Sequence, residues 1–304
     1  MTDKLIEKII EMQNPTCVGL DTDFSYLPDE MRDGMATFEG VVEQIIEFNM
    51  NIIDKVCDIV PAVKVQVAYY EQYGFDGLRA FDCTVNYARG RGMYVIADCK
   101  RNDIGSTAKC YSTAYLGNTD INGKKLTAFP ADMLTVNGYL GTDGIAPFIE
   151  DIKKNDKGIF VLVKTSNPSS GELQNLKLES GEYLYERMGK LVEEWGKDCV
   201  GKYGYSDVGA VVGATHPEEA AALRRQLKHT FFLIPGYGAQ GANAEMLKCC
   251  FDERGLGGIV NNSRGIICAY RKPAYAGMGY AEAARAACID MQKDLVGTIG
   301  KIGR

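Results

Sequence analysis

The sequence predicts an α/β protein folded as a closed (β/α)8 barrel of the TIM type, a single domain over residues 1–304. Three observations carry that expectation. Short valine- and isoleucine-rich runs recur along the chain, segments of helical period separate them, and run after run ends in polar residues. Strands that are apolar on both faces and alternate with helices demand a parallel sheet with right-handed crossovers. Eight such units within 304 residues favour closure into a barrel. An open doubly wound sheet is the alternative.

Taken in order, about residues 1–14 place Leu5, Ile6, Ile9 and Ile10 on one face among Lys4, Glu7, Lys8 and Glu11, which is an amphipathic helix and not a signal peptide. The eight runs follow at Cys17 to Leu20, Val63 to Val67, Tyr94 to Ala97, Met133 to Val136, Ile159 to Val163, Val208 to Val212, Phe231 to Ile234 and Gly258 to Val260. Helical period marks Phe38 to Val56, Asp76 to Arg89, Ile145 to Lys154, Tyr183 to Lys202, Pro217 to Lys228, Ala242 to Glu253 and Ala281 to Ile299. Two stretches exceed a minimal loop, 105–131 and 166–181, and both are expected over the barrel mouth as extra helix or lid. No repeat, low-complexity tract or long linker divides the chain.

Charge and cysteine content narrow the function. A net charge of -6 without clustered basic residues argues against a nucleic-acid binder, so an anionic substrate has to be held by local groups. No apolar stretch is long enough to span a bilayer, which makes the cytoplasm the expected location. The ten cysteines are dilute and form no C-x-x-C pair, as expected of reduced thiols.

In a barrel, chemistry belongs where strands end. The third run ends in Asp98-Cys99-Lys100-Arg101-Asn102-Asp103, and strand alternation points Asp98 and Lys100 the same way while Cys99 points away. A lysine between carboxylates keeps its proton and is a ready acid. Lys64 lies inside the second run, where a buried ammonium requires a carboxylate, and Asp98 is one strand over. The seventh and eighth runs lead into Pro235-Gly236-Tyr237-Gly238-Ala239-Gln240-Gly241 and Asn261-Asn262-Ser263-Arg264-Gly265. The first contains G-x-G-x-x-G, but late in the chain and with no acid about 20 residues on, so it reads as a barrel phosphate cup and not a dinucleotide fold. His216 and His229 are too far apart for a two-histidine metal motif and the cysteines are not clustered, so no metal site is expected, and Ser166 lacks the elbow of a hydrolase nucleophile.

These pieces together resemble the orotidine 5'-phosphate decarboxylase family, in its longer bacterial subgroup. The match runs in order through Val18-Gly19-Leu20-Asp21, Ala62-Val63-Lys64-Val65-Gln66, Asp98-x-Lys100-x-x-Asp103-Ile104, Gly105-Ser106-Thr107-Ala108 and Leu134-Thr135-Val136-Asn137. It continues through Val163-Lys164-Thr165-Ser166-Asn167-Pro168, Val211 to Thr215, Pro235 to Gly241 and Ser263-Arg264-Gly265. The resemblance implies a lyase that converts orotidine 5'-phosphate to uridine 5'-phosphate in pyrimidine biosynthesis with no metal or organic cofactor. Lys64, Asp98, Lys100 and Asp103 would form an alternating charge network with Lys100 as proton donor. Asp103, Ile104 and Thr107 would reach the neighbouring subunit's site in a homodimer. Asp21 with Lys64 would bind the ribose, Ser166 the pyrimidine edge, and Gln240 and Arg264 the phosphate. Tyr237 and Ala242 depart from the pattern, which leads one to expect a smaller branched residue and a second glycine. The rival is a metal-dependent sugar-phosphate aldolase of the same superfamily, against which Lys64 argues by repelling the ion. A non-catalytic nucleotide-binding barrel is a further alternative.

Overall fold

The computed structural model describes residues 1–213, 215, 217–238 and 241–304. Eight parallel strands close a ring: β1 (Thr16–Leu20), β2 (Ala62–Gln66), β3 (Tyr94–Arg101), β4 (Met133–Val136), β5 (Gly158–Lys164), β6 (Ser206–Val212), β7 (Thr230–Ile234) and β8 (Gly258–Asn262). Each pairs with its neighbours in sequence, and β8 closes on β1 through Cys17 opposite Asn261. The crossover helices are α1 (Phe38–Val56), α2 (Gly74–Gly90), α3 (Gly105–Leu116), α4 (Thr142–Asn155), α5 (Leu184–Gly196), α6 (Pro217–Gln226), α7 (Ala244–Leu247) and α8 (Tyr280–Ile299).

Local chemistry sets these boundaries. The Thr37 hydroxyl accepts from Gly40 N at 3.1 Å to cap α1, whose stripe Val42, Ile45, Ile52, Ile53 and Val56 faces the sheet. At α5, the Glu186 carboxylate accepts from Tyr183 N at 2.8 Å. Apolar side chains fill two regions, one between strands and helices and one inside the ring. Inside, Cys17, Ala62, Ile96, Met133 and Phe160 meet Leu5, Ile6 and Ile9 of the N-terminal helix Thr2–Met12. That helix closes the end of the barrel where strands begin, and leaves the end where they finish open.

Three expectations change. The stretch 105–131, expected over the mouth, opens with α3, an ordinary barrel crossover that packs against α4 through Ser112, whose hydroxyl donates to Asp151 at 2.6 Å. A short antiparallel hairpin, Thr119–Ile121 with Lys124–Leu126, then links the C-terminal end of α3 to the start of β4, away from the mouth. The expected helix at 242–253 is reduced to α7 and one 3-10 turn, and α5 stops at Gly196 and not at 202. The stretch 166–181 does start at the strand ends, where the Gln174 amide staples it to Thr165 by bonds of 3.0 and 2.7 Å.

Candidate active site

Inward positions follow from strand alternation. Two residues beyond Ala62, Ile96, Met133 and Ile259 of the inner core stand Lys64, Asp98, Thr135 and Asn261. They form the polar half of the floor of a cavity of about 680 Å³, and Leu162, Val211 and Leu233 form its apolar half. A planar ring with one charged edge fits that division, and the volume suits a small-molecule ligand.

Asp98 is the centre of the polar half. It is 6% exposed and its two oxygens accept four hydrogen bonds. Oδ2 accepts from Lys64 Nζ at 2.8 Å and Gln66 Nε2 at 3.0 Å, and Oδ1 from Lys100 Nζ at 2.7 Å and Thr135 Oγ1 at 2.8 Å. Lys64 also donates to Asp21 Oδ1 at 2.9 Å. The row Asp21, Lys64, Asp98, Lys100 thus alternates in sign and sums to zero. Burial alone would raise the Asp98 carboxyl, but the ammoniums of Lys64 and Lys100 outweigh it and hold the group well below the usual carboxylate range. Burial would likewise lower Lys64, and the Asp21 and Asp98 charges overcome it, so Lys64 titrates above an ordinary lysine. Asp98 and Lys64 are therefore both charged at neutral pH.

Lys100 differs from Lys64 in exposure: its side chain is 46% accessible and lines the cavity. Its backbone lies in the left-handed region at φ 49°, inside a bulge where Ala97 pairs with Leu134 but Arg101 with Val136. Regular alternation therefore does not deliver Lys100. The bulge does, with Lys100 N donating to Thr135 Oγ1 at 3.0 Å, while Cys99 points into the outer core as expected.

Asp21, Lys64, Asp98, Lys100, Ser166 and Arg264 all line the cavity. Asp103, Ile104 and Thr107 do not. The Asp103 carboxylate turns back to Ile104 N at 2.8 Å, and Ile104 is 56% exposed at the start of α3. Gln240 and His216 lie outside the described residues. The two departures noted in the glycine loop close its stem: Tyr237 bridges Ala242, Gly238 N donates to Ala242 O at 2.8 Å, and the Tyr237 hydroxyl donates to Asp294 on α8 at 2.6 Å. Sequence reasoning gave no role to Gln66 and Thr135, and it took Asn261 and Ser263 only as part of the phosphate-cup segment after the eighth run. The same alternation that singled out Asp98 would have found Thr135 and Asn261. Among the described residues, no three histidine, cysteine or carboxylate side chains converge as a metal site.

A (β/α)8 barrel that converges alternating lysines and aspartates on a half-apolar cavity belongs to the enzymes that work through fixed charge at the strand ends. Residues 15–277 match the model of the orotidine 5'-phosphate decarboxylase / HUMPS family. The chain is 46% identical over 275 residues to the orotidine 5'-phosphate decarboxylase of Caldicellulosiruptor bescii, covering 89% of this chain and 90% of that one. It is 40% identical over 297 residues to the enzyme of that name from Clostridium acetobutylicum, covering 98% and 99%. Among solved structures, the Leishmania donovani OMP decarboxylase superposes with a TM-score of 0.74 at 27% identity over 98% of each chain. The chain belongs to the orotidine 5'-phosphate decarboxylase / HUMPS family.

Proposed function

We propose that this chain decarboxylates orotidine 5'-phosphate to uridine 5'-phosphate, a step of pyrimidine biosynthesis, with Lys100 as the proton donor. The observation that carries the reading is the saturated Asp98 carboxylate, which fixes the Lys100 ammonium at 2.7 Å on the cavity wall. Loss of carbon dioxide from C6 leaves an electron pair in the plane of the pyrimidine, where the ring cannot delocalise it. A preorganised ammonium stabilises that localised charge and then passes a proton from Nζ to C6. Solvent returns the proton to the amine. Because Asp98 is already held by Lys64, Gln66 and Thr135, little reorganisation accompanies the step.

The other contacts follow the family pattern: Asp21 with Lys64 on the ribose hydroxyls, Ser166 on the pyrimidine edge, and Arg264 with Gln240 on the phosphate. Phosphate binding, remote from C6, helps to offset the cost of distorting the reacting end. The site is completed in a homodimer, where Asp103, Ile104 and Thr107 of each chain serve the other's cavity. Support comes from the exposed Ile104, with exposed Tyr139 and Leu140 beside the start of α4. The aldolase alternative requires carboxylates free to hold a divalent ion, and here Lys64 occupies the space between Asp21 and Asp98. A cytoplasmic location is favoured by ten free cysteines, and no helix among the described residues is long and apolar enough to cross a membrane.

Orotidine 5'-phosphate consumption, followed by pyrimidine absorbance in excess chelator, tests the reading. Turnover that the chelator leaves unchanged is expected. No turnover, or turnover lost to chelator alone, would overturn it.

A further inference from the structure

Gly19 sits in the middle of β1 with an ordinary strand backbone, so its conformation does not call for glycine. Glycine inside a strand commonly marks a close approach by another group. Here the group is Ser263: a Cβ added at Gly19 would lie 1.9 Å from Ser263 Oγ and 3.0 Å from Asn261 Oδ1. The serine hydroxyl occupies the volume a side chain on β1 would fill, and from there donates to Asp21 Oδ2 at 2.8 Å. Asn261 Nδ2 donates in turn to Ser263 Oγ at 3.3 Å, which turns the single serine proton toward Asp21. Asp21 is therefore held by both oxygens, Oδ1 by Lys64 and Oδ2 by Ser263. Asn261 is 6% exposed and keeps Oδ1 without a partner on the cavity floor.

We propose that Ser263, admitted by Gly19 and oriented by Asn261, is a positioning residue that fixes the rotamer of Asp21 and through it the recognition of the substrate ribose. The inference rests on the reading of Asp21 as a ribose-binding group. With Ser263 absent, Asp21 keeps its bond to Lys64 but is free to turn about it. Binding of the ribose weakens, and the ammonium at Lys100, three residues along the charge row, stays in place.

Five variants test this: Ser263→Ala, Asp21→Asn, Gly19→Ala, Ser263→Gly and the double variant Gly19→Ala/Ser263→Gly. Loss of one hydrogen bond to a charged group predicts a KM for orotidine 5'-phosphate raised about ten-fold in Ser263→Ala, with kcat within about three-fold of the parent. Inhibition by uridine 5'-phosphate should weaken similarly, while inhibition by its 2'-deoxy and 3'-deoxy analogues changes less, so that discrimination between them shrinks. Gly19→Ala alone should be worse than Ser263→Gly in kcat/KM or fail to fold, and the double variant should fold and recover to the level of Ser263→Gly. If Ser263→Ala keeps the parental KM while Asp21→Asn shifts it, the proposal is overturned. If Asp21→Asn itself keeps the parental KM and discrimination, the ribose reading fails instead. A double variant as poor as Gly19→Ala would show that the glycine does not serve the serine.

Discussion

Asp98 and Lys100 divide one task between a buried group and an accessible one. The carboxylate has no bonding capacity left over for substrate, since Lys64, Gln66, Lys100 and Thr135 fill it. The ammonium is half exposed and has protons to give. In the proposed mechanism Lys100→Ala removes both the charge that meets the carbanion and the proton donor, and kcat should fall on the order of a thousand-fold or more, measured with saturating substrate. Asp98→Asn leaves Lys64 and Lys100 without their shared anion and should cost about 3 kcal/mol in urea unfolding at neutral pH. The pH dependence of that cost follows from the two shifts. Asp98 is depressed, so its contribution is present above the ordinary aspartate range and is lost as pH falls through the lowered folded value. Lys64 is raised, so its contribution is complete below the ordinary lysine range and is lost only as pH rises through the higher folded value. The stability gap between the parent and Asp98→Asn should stay flat from about pH 5 to pH 9 and narrow below about pH 4.

At the scale of the element, β3 shows which parts of the design the sequence discloses. Its apolar start and its charged end were legible, because burial on both faces demands valine and isoleucine, and charged side chains at the end of a buried strand are costly unless they meet partners of opposite sign. The bulge was not legible, since no glycine marks the left-handed residue: Lys100 itself adopts φ 49°. That position predicts a difference between two inactive variants. Lys100→Gly should be about 1 kcal/mol more stable than Lys100→Ala, because only alanine carries the left-handed penalty of a Cβ; equal unfolding midpoints would place Lys100 in an unstrained backbone. The helix after β3 was missed for a related reason. The buried face of α3 is Ala108, Ser112, Tyr115 and Leu116, too small and polar to register as apolar period, and it is held by the Ser112 to Asp151 bond and by Arg101 lying over the Tyr111 and Tyr115 rings. Polar helix packing of this kind leaves no periodic trace. By contrast α1 and α8, which bury long apolar or alanine-rich faces, fall within a residue of their expected limits.

The whole molecule is polarised along the barrel axis, closed by the N-terminal helix at one end and open over the charge row at the other. The motif that begins with Asp98 and Lys100 continues to Asp103, yet Asp103 does not line the cavity, and its carboxylate accepts from Ile104 N beside the exposed side chains of Ile104 and Thr107. An apolar residue left 56% exposed next to a carboxylate that serves no site of its own is what a self-complementary interface would present. In the proposed two-fold dimer the rim of each chain would face the partner's mouth, and a site would be assembled from Asp98 and Lys100 of one chain and Asp103 of the other. Lys100→Ala and Asp103→Ala homodimers should then both be nearly inactive for different reasons. In a heterodimer of the two, one site collects both lesions and the other collects neither. Unfolding and refolding an equal mixture makes half of the dimers hetero, each with one intact site, so about a quarter of the parental activity should return. Recovery near that level, absent when the two variants are mixed without subunit exchange, supports the shared site. No recovery after exchange has been verified by tagged-subunit pull-down would mean that each chain carries a complete site.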